Sequence, residues 1–308
     1  MWGAYGAAVF HMVTNAFFKA LLFLGAGSVM HSLHDELDMR RMGGLRRYLP
    51  VTAGTFIVAW LAIAGIFPFA GFWSKDAILA RAFEQNRWGL WAVGLLGGFL
   101  TAFYMARQVY LVVYGNERRR DRATVPHESP AVMTVPMIVL AVLTVLGGVL
   151  NLPFRSAEWL SRWLAPVFAD APEPAGASFA EGAALAGAAL AVSAVGIAAA
   201  RHLYRHGLGA SDPLTARLGP AARVLENAFW IDRAYTASVG GPGRRLAAWL
   251  ADVLDRTVVD GAVNGAAWVV RRSGEWMRRL QSGQVRQYAL AIAAGAVLLV
   301  LGLVMRSW

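Results

Sequence analysis

Long apolar runs alternate with short polar segments along most of the chain. Six runs are close to the roughly 20 residues that a helix needs to cross the hydrocarbon core of a bilayer. They lie at about 3–29, 51–72, 89–114, 131–151, 179–200 and 288–305. The second run continues to about 83 after a break. This pattern predicts an all-α membrane protein with about six transmembrane helices.

One polar region, 207–287, is too long for a connecting loop and too polar to span a membrane. Within it, Leu246, Leu250 and Val253 recur at three- and four-residue spacing with charged residues between them, which predicts an amphipathic helix. The run Gly240–Gly243, which contains a proline, predicts a break or kink. The pattern fits equally well two surface helices on the bundle and one long bar along the membrane that touches neighbouring proteins.

The chain therefore divides into three parts. These are a bundle of five spans at 1–206, the amphipathic region at 207–287 and a final transmembrane anchor helix at 288–308.

Charge alternates between the segments that connect the spans. Segments 31–50 and 115–130 carry arginine clusters, segment 152–178 is net acidic, and segment 201–287 is strongly basic. Because basic segments stay on the cytoplasmic side, the alternation predicts that the basic loops and the amphipathic region are cytoplasmic. It also predicts that both chain ends lie on the opposite side.

The composition excludes several kinds of protein. Charged residues make up 16% of the 308-residue chain, against roughly 25% in a soluble domain. The absence of cysteine excludes disulfides, cysteine-ligated clusters and thiolate chemistry. No glycine-rich phosphate loop follows a strand-like segment, so we expect no cofactor and no metal site. The excess of 29 Lys and Arg over 19 Asp and Glu lies between apolar spans, which favours membrane orientation over nucleic-acid binding.

Only two of the basic residues are lysines, Lys19 and Lys75, and both lie in or beside apolar spans. Arginine keeps its proton in proteins, whereas a buried lysine can lose it. A protein that moves protons needs a group that is charged and neutral in turn. The two lysines are therefore the candidate proton carriers.

Lys19 lies past the middle of the first span among apolar neighbours. A charge at bilayer depth is costly, so such a residue has a functional role by default. His11 precedes it by eight residues, on roughly the same side of the helix, and the two could relay a proton through water. The alternative is an ion pair between Lys19 and an acidic residue on another helix.

Lys75 follows a run of residues, Gly65–Ser74, that contains glycine and proline. Such residues can interrupt a helix at membrane depth and expose backbone groups to a water-filled path. The alternative is a lysine that snorkels from a helix end to the interface. Asp76 is either its counter-ion or a residue at the start of a helix.

The remaining polar residues have weaker claims. Five histidines are expected to be solvated surface groups rather than a proton port or a metal site: His31, His34, His127, His202 and His206. Arg107, inside the third span, either pairs with Asp76 or snorkels to the interface.

Several motifs carry a resemblance to a known family. The run 11–24, HMVTNAFFKALLFL, resembles the lysine-bearing helix of the antiporter-like subunits of respiratory complex I, or NADH-quinone oxidoreductase. The run 64–76, AGIFPFAGFWSKD, resembles their broken helix with its central lysine. Run 38–45 is similar to the linker between those helices, and two runs in the tail, 259–265 and 281–290, are similar to subunit L of the bacterial enzyme. The resemblance covers essentially the whole chain.

The resemblance implies a proton-translocating subunit driven by quinone reduction elsewhere in the complex, with no redox chemistry in this chain itself. Lys19 and Lys75 would be relay lysines, assisted by His11 and Asp76. The region 207–287 would be a long amphipathic lateral helix that contacts other membrane-arm subunits. The implied location is the inner (plasma) membrane of a bacterial cell, with multiple passes through the lipid bilayer.

The chain departs from the family pattern at two positions. Asn15 stands where the family usually has a second histidine, which argues against a histidine relay through that site. Phe67 replaces the first proline of the usual Ile-Pro-Pro run, which predicts a less sharp break.

The resemblance assigns the chain to the C-terminal half of such a subunit. We therefore expect that the chain alone does not conduct protons across the full membrane. Two alternatives stay open. The chain is part of the large subunit of a multisubunit Mrp-type cation/proton antiporter, or it is a structural brace that conducts no protons.

Overall fold

The computed structural model describes residues 5–118, 125–153, 157–168, 179–208, 212–279 and 281–306. Within these ranges every regular element is helical, which confirms the predicted all-α membrane class. Five helices are long and apolar enough to cross a membrane: Tyr5–Ser32, Trp88–Tyr114, Ala131–Asn151, Ala180–Tyr204 and Val285–Arg306. The remaining predicted span is a shorter apolar helix followed by a break.

The chain forms two compact units, of which the first is Met1–Gly219. Its helices are α1 (Tyr5–Ser32), α2 (Pro50–Ile63), α3 (Ala70–Glu84), α4 (Trp88–Val109), α5 (Ala131–Leu146), α6 (Trp159–Leu164), α7 (Phe179–Tyr204) and α8 (Pro213–Leu218). Single 3₁₀ turns lie at Met39–Arg41, Leu45–Arg47 and Gly147–Asn151. A π-helical turn, Tyr110–Tyr114, extends α4.

Helix α1 lies at the centre of one group of helices, where it packs against α2, α3 and α5. Its buried residues are Phe10, Thr14, Phe18, Leu21, Leu22, Gly25, Ser28 and Ser32. Their three- and four-residue spacing places them on one face of the helix. Helix α4 packs against α7, and α3 touches α4 and α7 as well as α1. Helix α3 therefore lies between the two groups.

Polar contacts at the N-terminus of α2 hold it to α1 and to the segment before α5. The Glu128 carboxylate accepts hydrogen bonds from the amides of Val51 and Thr52, at 2.7 and 3.2 Å. These amides have no partner within the helix, and a carboxylate is the favoured group at this positive end. Ser28 on α1 bonds to the hydroxyls of Thr52 and Ser129, both at 2.7 Å. The network ties α1, α2 and the segment before α5 together.

The predicted break in the second span is confirmed, although it comes earlier than the predicted end of that span at about 72. Helix α2 ends at Ile63 and α3 begins at Ala70. Gly65 has φ +75°, a conformation that glycine adopts without steric cost. Its amide bonds back to the Ala62 carbonyl at 3.0 Å, which closes the helix end. The phenylalanine at 67 does not prevent the interruption, which is complete over residues 64–69.

The second unit, Pro220–Trp308, contains a long helical stretch and the final apolar helix. Its helices are α9 (Pro220–Glu226), α10 (Ile231–Tyr235), α11 (Gly241–Trp249), α12 (Asp260–Arg279) and α13 (Val285–Arg306). Two π-helical segments, Thr236–Gly240 and Leu250–Val259, join α10, α11 and α12 into one helix. At about 1.5 Å per residue this helix, 231–279, is on the order of 70 Å long. Residues Ala228–Trp230, all with positive φ, separate it from α9.

The predicted break at Gly240–Gly243 is wrong. The backbone is helical on both sides, and the Gly241 amide donates to the Thr236 carbonyl five residues earlier. Pro242 would remove an ordinary i→i−4 hydrogen bond and crowd the preceding turn. A change to π-helical bonding just before it accommodates the proline without ending the helix.

The close packing of α3 against the end of α2 at Gly71 can be tested by substitution. A Cβ atom at Gly71 would collide with the carbonyl of Ala62. We expect Gly71→Ala to destabilise the purified chain by about 1–3 kcal/mol, the usual cost of overpacking. The measurement is the midpoint of thermal unfolding in detergent.

Gly54→Ala is the matched control, because a Cβ atom there meets nothing within 4 Å. It lies inside α2 and should be neutral or slightly stabilising. Equal unfolding midpoints for the two variants would contradict the close packing at Gly71.

Candidate functional site

The helix break positions Lys75. Its side chain is half-buried in the second turn of α3. The amine donates a hydrogen bond to the Ile63 carbonyl at the long distance of 3.5 Å. This carbonyl belongs to the last turn of α2, where backbone acceptors have no helical partner. The interruption thus supplies a polar partner for the Lys75 amine.

A small cavity beside Lys75 has room for about one water molecule. It lies between α3, α4 and α7, and its polar lining is Lys75, Asp76 and Ser193. Gly98 on α4 leaves the space open, since a Cβ atom there would lie 3.6 Å from the Lys75 amine nitrogen. An amine, a carboxyl and a hydroxyl therefore share one confined polar space.

Asp76 is a half-buried acid, and one of its two carboxylate oxygens is buried without a protein partner. Its Oδ2 atom has no hydrogen bond, and no ion pair joins it to Lys75 among the described residues. Asp76 follows the first turn of α3, so it is not a residue at the helix start. A buried polar atom without a partner is costly and rare in folded proteins. Protonation of the carboxyl lowers that cost, which makes Asp76 suited to hold a proton.

His11 meets α3 on the other side, through two hydroxyl groups that the sequence did not single out. Its Nδ1 atom lies 3.1 Å from the Ser74 hydroxyl oxygen. Thr14 donates a hydrogen bond to the same oxygen at 2.8 Å. Thr14 follows His11 by one helical turn and Ser74 directly precedes Lys75, so their positions beside predicted site residues could have indicated them.

Lys19 is exposed on the surface of the first unit. It makes no hydrogen bond or ion pair in the part of the chain that the structure describes, so no acidic partner on another helix is found there. His11, by contrast, faces α3. The structure thus brings His11 near the Lys75 helix and leaves Lys19 apart from both.

Arg107 is paired, but not with Asp76. Its guanidinium donates to the Asp212 carboxylate at 2.6 Å and lies over the Tyr204 ring, 5.2 Å from the centroid. Tyr204 donates to the same carboxylate at 2.7 Å. The predicted ion pair between Arg107 and Asp76 is therefore wrong. Asp212 caps the start of α8, and the fold of that turn brings it to α4.

The electrostatics of Asp212 fit a fixed ion pair. Burial opposes its ionisation, but hydrogen bonds from Arg107, the Leu214 amide and Tyr204 outweigh burial and hold the pKa of the carboxyl below its usual value. The group therefore stays charged at neutral pH.

The five remaining histidines are exposed, as predicted for surface groups. The rings of His31 and His127 meet edge to face at 6.0 Å between centroids. No group of three or more His, Asp or Glu side chains that could hold a metal ion occurs among the described residues.

Comparison with protein families gives two matches that follow one another along the chain. Residues 1–101 match the family described as "NADH:quinone oxidoreductase/Mrp antiporter, TM". Residues 103–215 match a family of NADH dehydrogenase described as "TMs, (complex I) C-terminus". Both the Lys19 and the Lys75 motifs fall in the first of these ranges.

Two of the individual relatives are similar over nearly the whole chain, and a third over about two thirds of it. NADH-quinone oxidoreductase subunit L of Mycobacterium tuberculosis is 41% identical over 321 residues, which cover 99% of this chain and 47% of that protein. NAD(P)H-quinone oxidoreductase chain 5 of a Picosynechococcus species is 40% identical over 331 residues, covering 96% and 48%. Subunit L of Campylobacter jejuni is 45% identical over 192 residues, covering 62% and 31%.

The chain spans about half the length of the first two relatives. The two family matches and these identities agree with the resemblance carried by the two lysine motifs. The chain belongs to the family of antiporter-like membrane subunits of NADH-quinone oxidoreductase.

Proposed function

We propose that this chain is part of a proton-translocating membrane subunit of NADH:quinone oxidoreductase, in which Lys75 and Asp76 carry the proton. Quinone reduction elsewhere in the complex supplies the energy, and this chain performs no redox chemistry itself. One observation carries the proposal, namely a lysine and a partnerless buried carboxyl beside one water-sized cavity at a helix break.

The contacts of Lys75 suit a proton that comes and goes. The charged amine is held by one long hydrogen bond to the Ile63 carbonyl and by no carboxylate within ion-pair distance among the described residues. A buried lysine with so little support can release its proton, because burial penalises the charged form. The next residue, Asp76, faces the same cavity and is a ready acceptor through a single water molecule.

The position of α3 gives the relay a direction across the bundle. Ser74 contacts His11 on α1, whereas Lys75 faces the cavity between α3, α4 and α7. Two consecutive residues of α3 thus reach polar groups on different sides of that helix. We propose that protons pass between the α1 side and the α7 side at this point, with His11 assisting.

Lys19 enters the proposal through its motif and through the cost of its charge. An unpaired charge at bilayer depth is expensive, so such residues face protein or water rather than lipid. We propose that Lys19 is a second relay lysine and that its exposed side faces other parts of the enzyme. A proton relay through water between His11 and Lys19 remains part of this proposal.

The long helix at 231–279 supports a proposal about partners. Its charged and apolar residues repeat at helical spacing, and apolar side chains such as Leu246, Trp249 and Val253 are exposed. We propose that this lateral helix contacts other membrane-arm subunits of the complex, while the apolar spans contact lipid. In the bacterial plasma membrane, the basic segments and this helix would lie on the cytoplasmic side.

A second candidate function is cation/proton antiport of the Mrp type. The family that matches residues 1–101 carries both enzymes in its description. The relatives over nearly the full chain are named as quinone oxidoreductase subunits, which favours the first function. A non-conducting brace is the remaining alternative.

Replacing Lys75 by arginine tests the relay. Lys75→Arg keeps the positive charge but raises the pKa of the free side chain by roughly three units, so proton release is blocked. We expect NADH-driven proton uptake into liposomes that contain the purified complex to fall at least about tenfold. Arg47→Lys, an exchange at an exposed position, is the control. Normal pumping by Lys75→Arg would refute the relay role.

Asp76→Asn tests the carboxyl. The amide has nearly the same shape but cannot ionise, so the complex should assemble while proton uptake falls by about tenfold or more, the range that one acid–base group contributes. Assembly is checked by the amount of this chain that co-purifies with the complex. Full uptake in the variant would show that the partnerless carboxyl has no part in proton transfer.

One assay separates the candidate functions. The complex is isolated through a tag on this chain and placed in liposomes. We expect proton uptake that follows NADH oxidation, because relatives over nearly the full chain belong to that enzyme. Sodium-dependent proton exchange without NADH activity would favour the antiporter, and neither activity would favour the brace.

A further inference from the structure

The hydroxyl groups of Thr14 and Ser74 form a short chain that ends on His11. Both residues are fully buried, at 0% exposure, between α1 and α3. The distances are 2.8 Å from Thr14 Oγ1 to Ser74 Oγ and 3.1 Å from Ser74 Oγ to His11 Nδ1. Thr14 Oγ1 also lies 3.2 Å from the His11 carbonyl oxygen.

The number of hydrogen atoms limits how this chain can be connected. Each hydroxyl has one hydrogen to donate. Thr14 donates its hydrogen to Ser74, so the Ser74 hydrogen needs another acceptor. In the described residues the one acceptor within reach is His11 Nδ1. A hydrogen on Nδ1 would leave the buried Ser74 hydroxyl with two donors and no acceptor, which is unfavourable.

We propose that Thr14 and Ser74 are positioning residues that hold His11 in the neutral tautomer with a free Nδ1 and the hydrogen on Nε2. The two nitrogens of the ring then have different roles, since the neighbour of one nitrogen decides which carries the proton. Nε2 is the nitrogen left to exchange a proton with its surroundings. Nδ1 is reserved for the contact with α3.

A proton gained at Nδ1 disrupts this arrangement. Nδ1 then has no lone pair to accept the Ser74 hydrogen, and Thr14 is the donor in its hydrogen bond to Ser74. Because Ser74 directly precedes Lys75, a proton at His11 Nδ1 changes the hydrogen bonding next to the candidate relay lysine.

This consequence for the relay rests on the proposed function, whereas the tautomer does not. The two are therefore tested by different measurements. The tautomer is measured by solid-state ¹⁵N NMR of the full chain in lipid bilayers, with labelled histidine. The chain has six histidines, and His11→Gln assigns the resonances of His11.

In the unsubstituted chain at neutral pH we expect one dominant His11 species, with Nδ1 unprotonated and Nε2 protonated. Thr14→Val removes the donor to Ser74, so Ser74 becomes free to accept from Nδ1–H and a second tautomer should appear. Ser74→Ala should also produce a mixture, because it removes the only described donor to Nδ1. Thr14→Ser keeps a hydroxyl and should restore the single species.

Thr55→Val is the matched control, because Thr55 is a buried threonine, 7% exposed, on α2, and its hydroxyl donates to backbone carbonyls of its own helix. It should leave the His11 resonances unchanged. A dominant Nδ1–H or doubly protonated His11 in the unsubstituted chain would overturn the proposal. So would identical His11 resonances in the unsubstituted chain, Thr14→Val and Ser74→Ala.

Proton pumping by the assembled complex then tests the link to the relay. Thr14→Val should lower NADH-driven uptake severalfold and Thr14→Ser should restore it. A changed tautomer with unchanged pumping would overturn the coupling to Lys75 and leave the tautomer assignment standing. Failure of the proposed function would instead be seen as full pumping by Lys75→Arg.

Discussion

The requirement that every backbone polar group in a membrane finds a partner determines how this site is built. An uninterrupted helix satisfies its own backbone and offers nothing to a side chain. Gly65 ends α2 early, and the freed carbonyl of Ile63 becomes the hydrogen-bond partner of the Lys75 amine. Gly71 lets α3 approach the Ala62 carbonyl closely, and Gly98 leaves space beside the Lys75 amine. The break, the lysine and the glycines thus form one structural unit.

Helix α3 connects two groups of helices because it is short and lies between them. Ser74 and Lys75 differ in direction by roughly 100° on the helix, so consecutive residues reach α1 and the α4–α7 side. Both residues lie within two turns of the start of α3, so both polar contacts are made close to the helix break.

The sequence predicted the features that depend on local chemistry, which are the all-α class and the interruption after α2. It failed where a contact joins residues far apart in the chain. Arg107 and Asp212 are separated by 105 positions, and only the capped turn before α8 brings them together. The exposure of Lys19 also depends on which face of α1 the other helices cover. The break expected at Gly240–Gly243 presumes α-helical hydrogen bonding around Pro242, whereas the chain is π-helical just before it.

The contrast between arginine and lysine extends from composition to geometry. Arg107 is held by the Asp212 carboxylate and by the ring of Tyr204. The Tyr204 hydroxyl donates to the same carboxylate, so the charge of Arg107 is fixed and balanced. Arg118 likewise donates to the carbonyls of Met39 and Leu111 and ties loop to helix. Lys75 has one long hydrogen bond and a neighbouring acid without a partner. A strong, saturated site would trap a proton, whereas a weakly satisfied one can gain and lose it. The incomplete hydrogen bonding at Lys75 and Asp76 is therefore the property on which the proposed proton transfer depends.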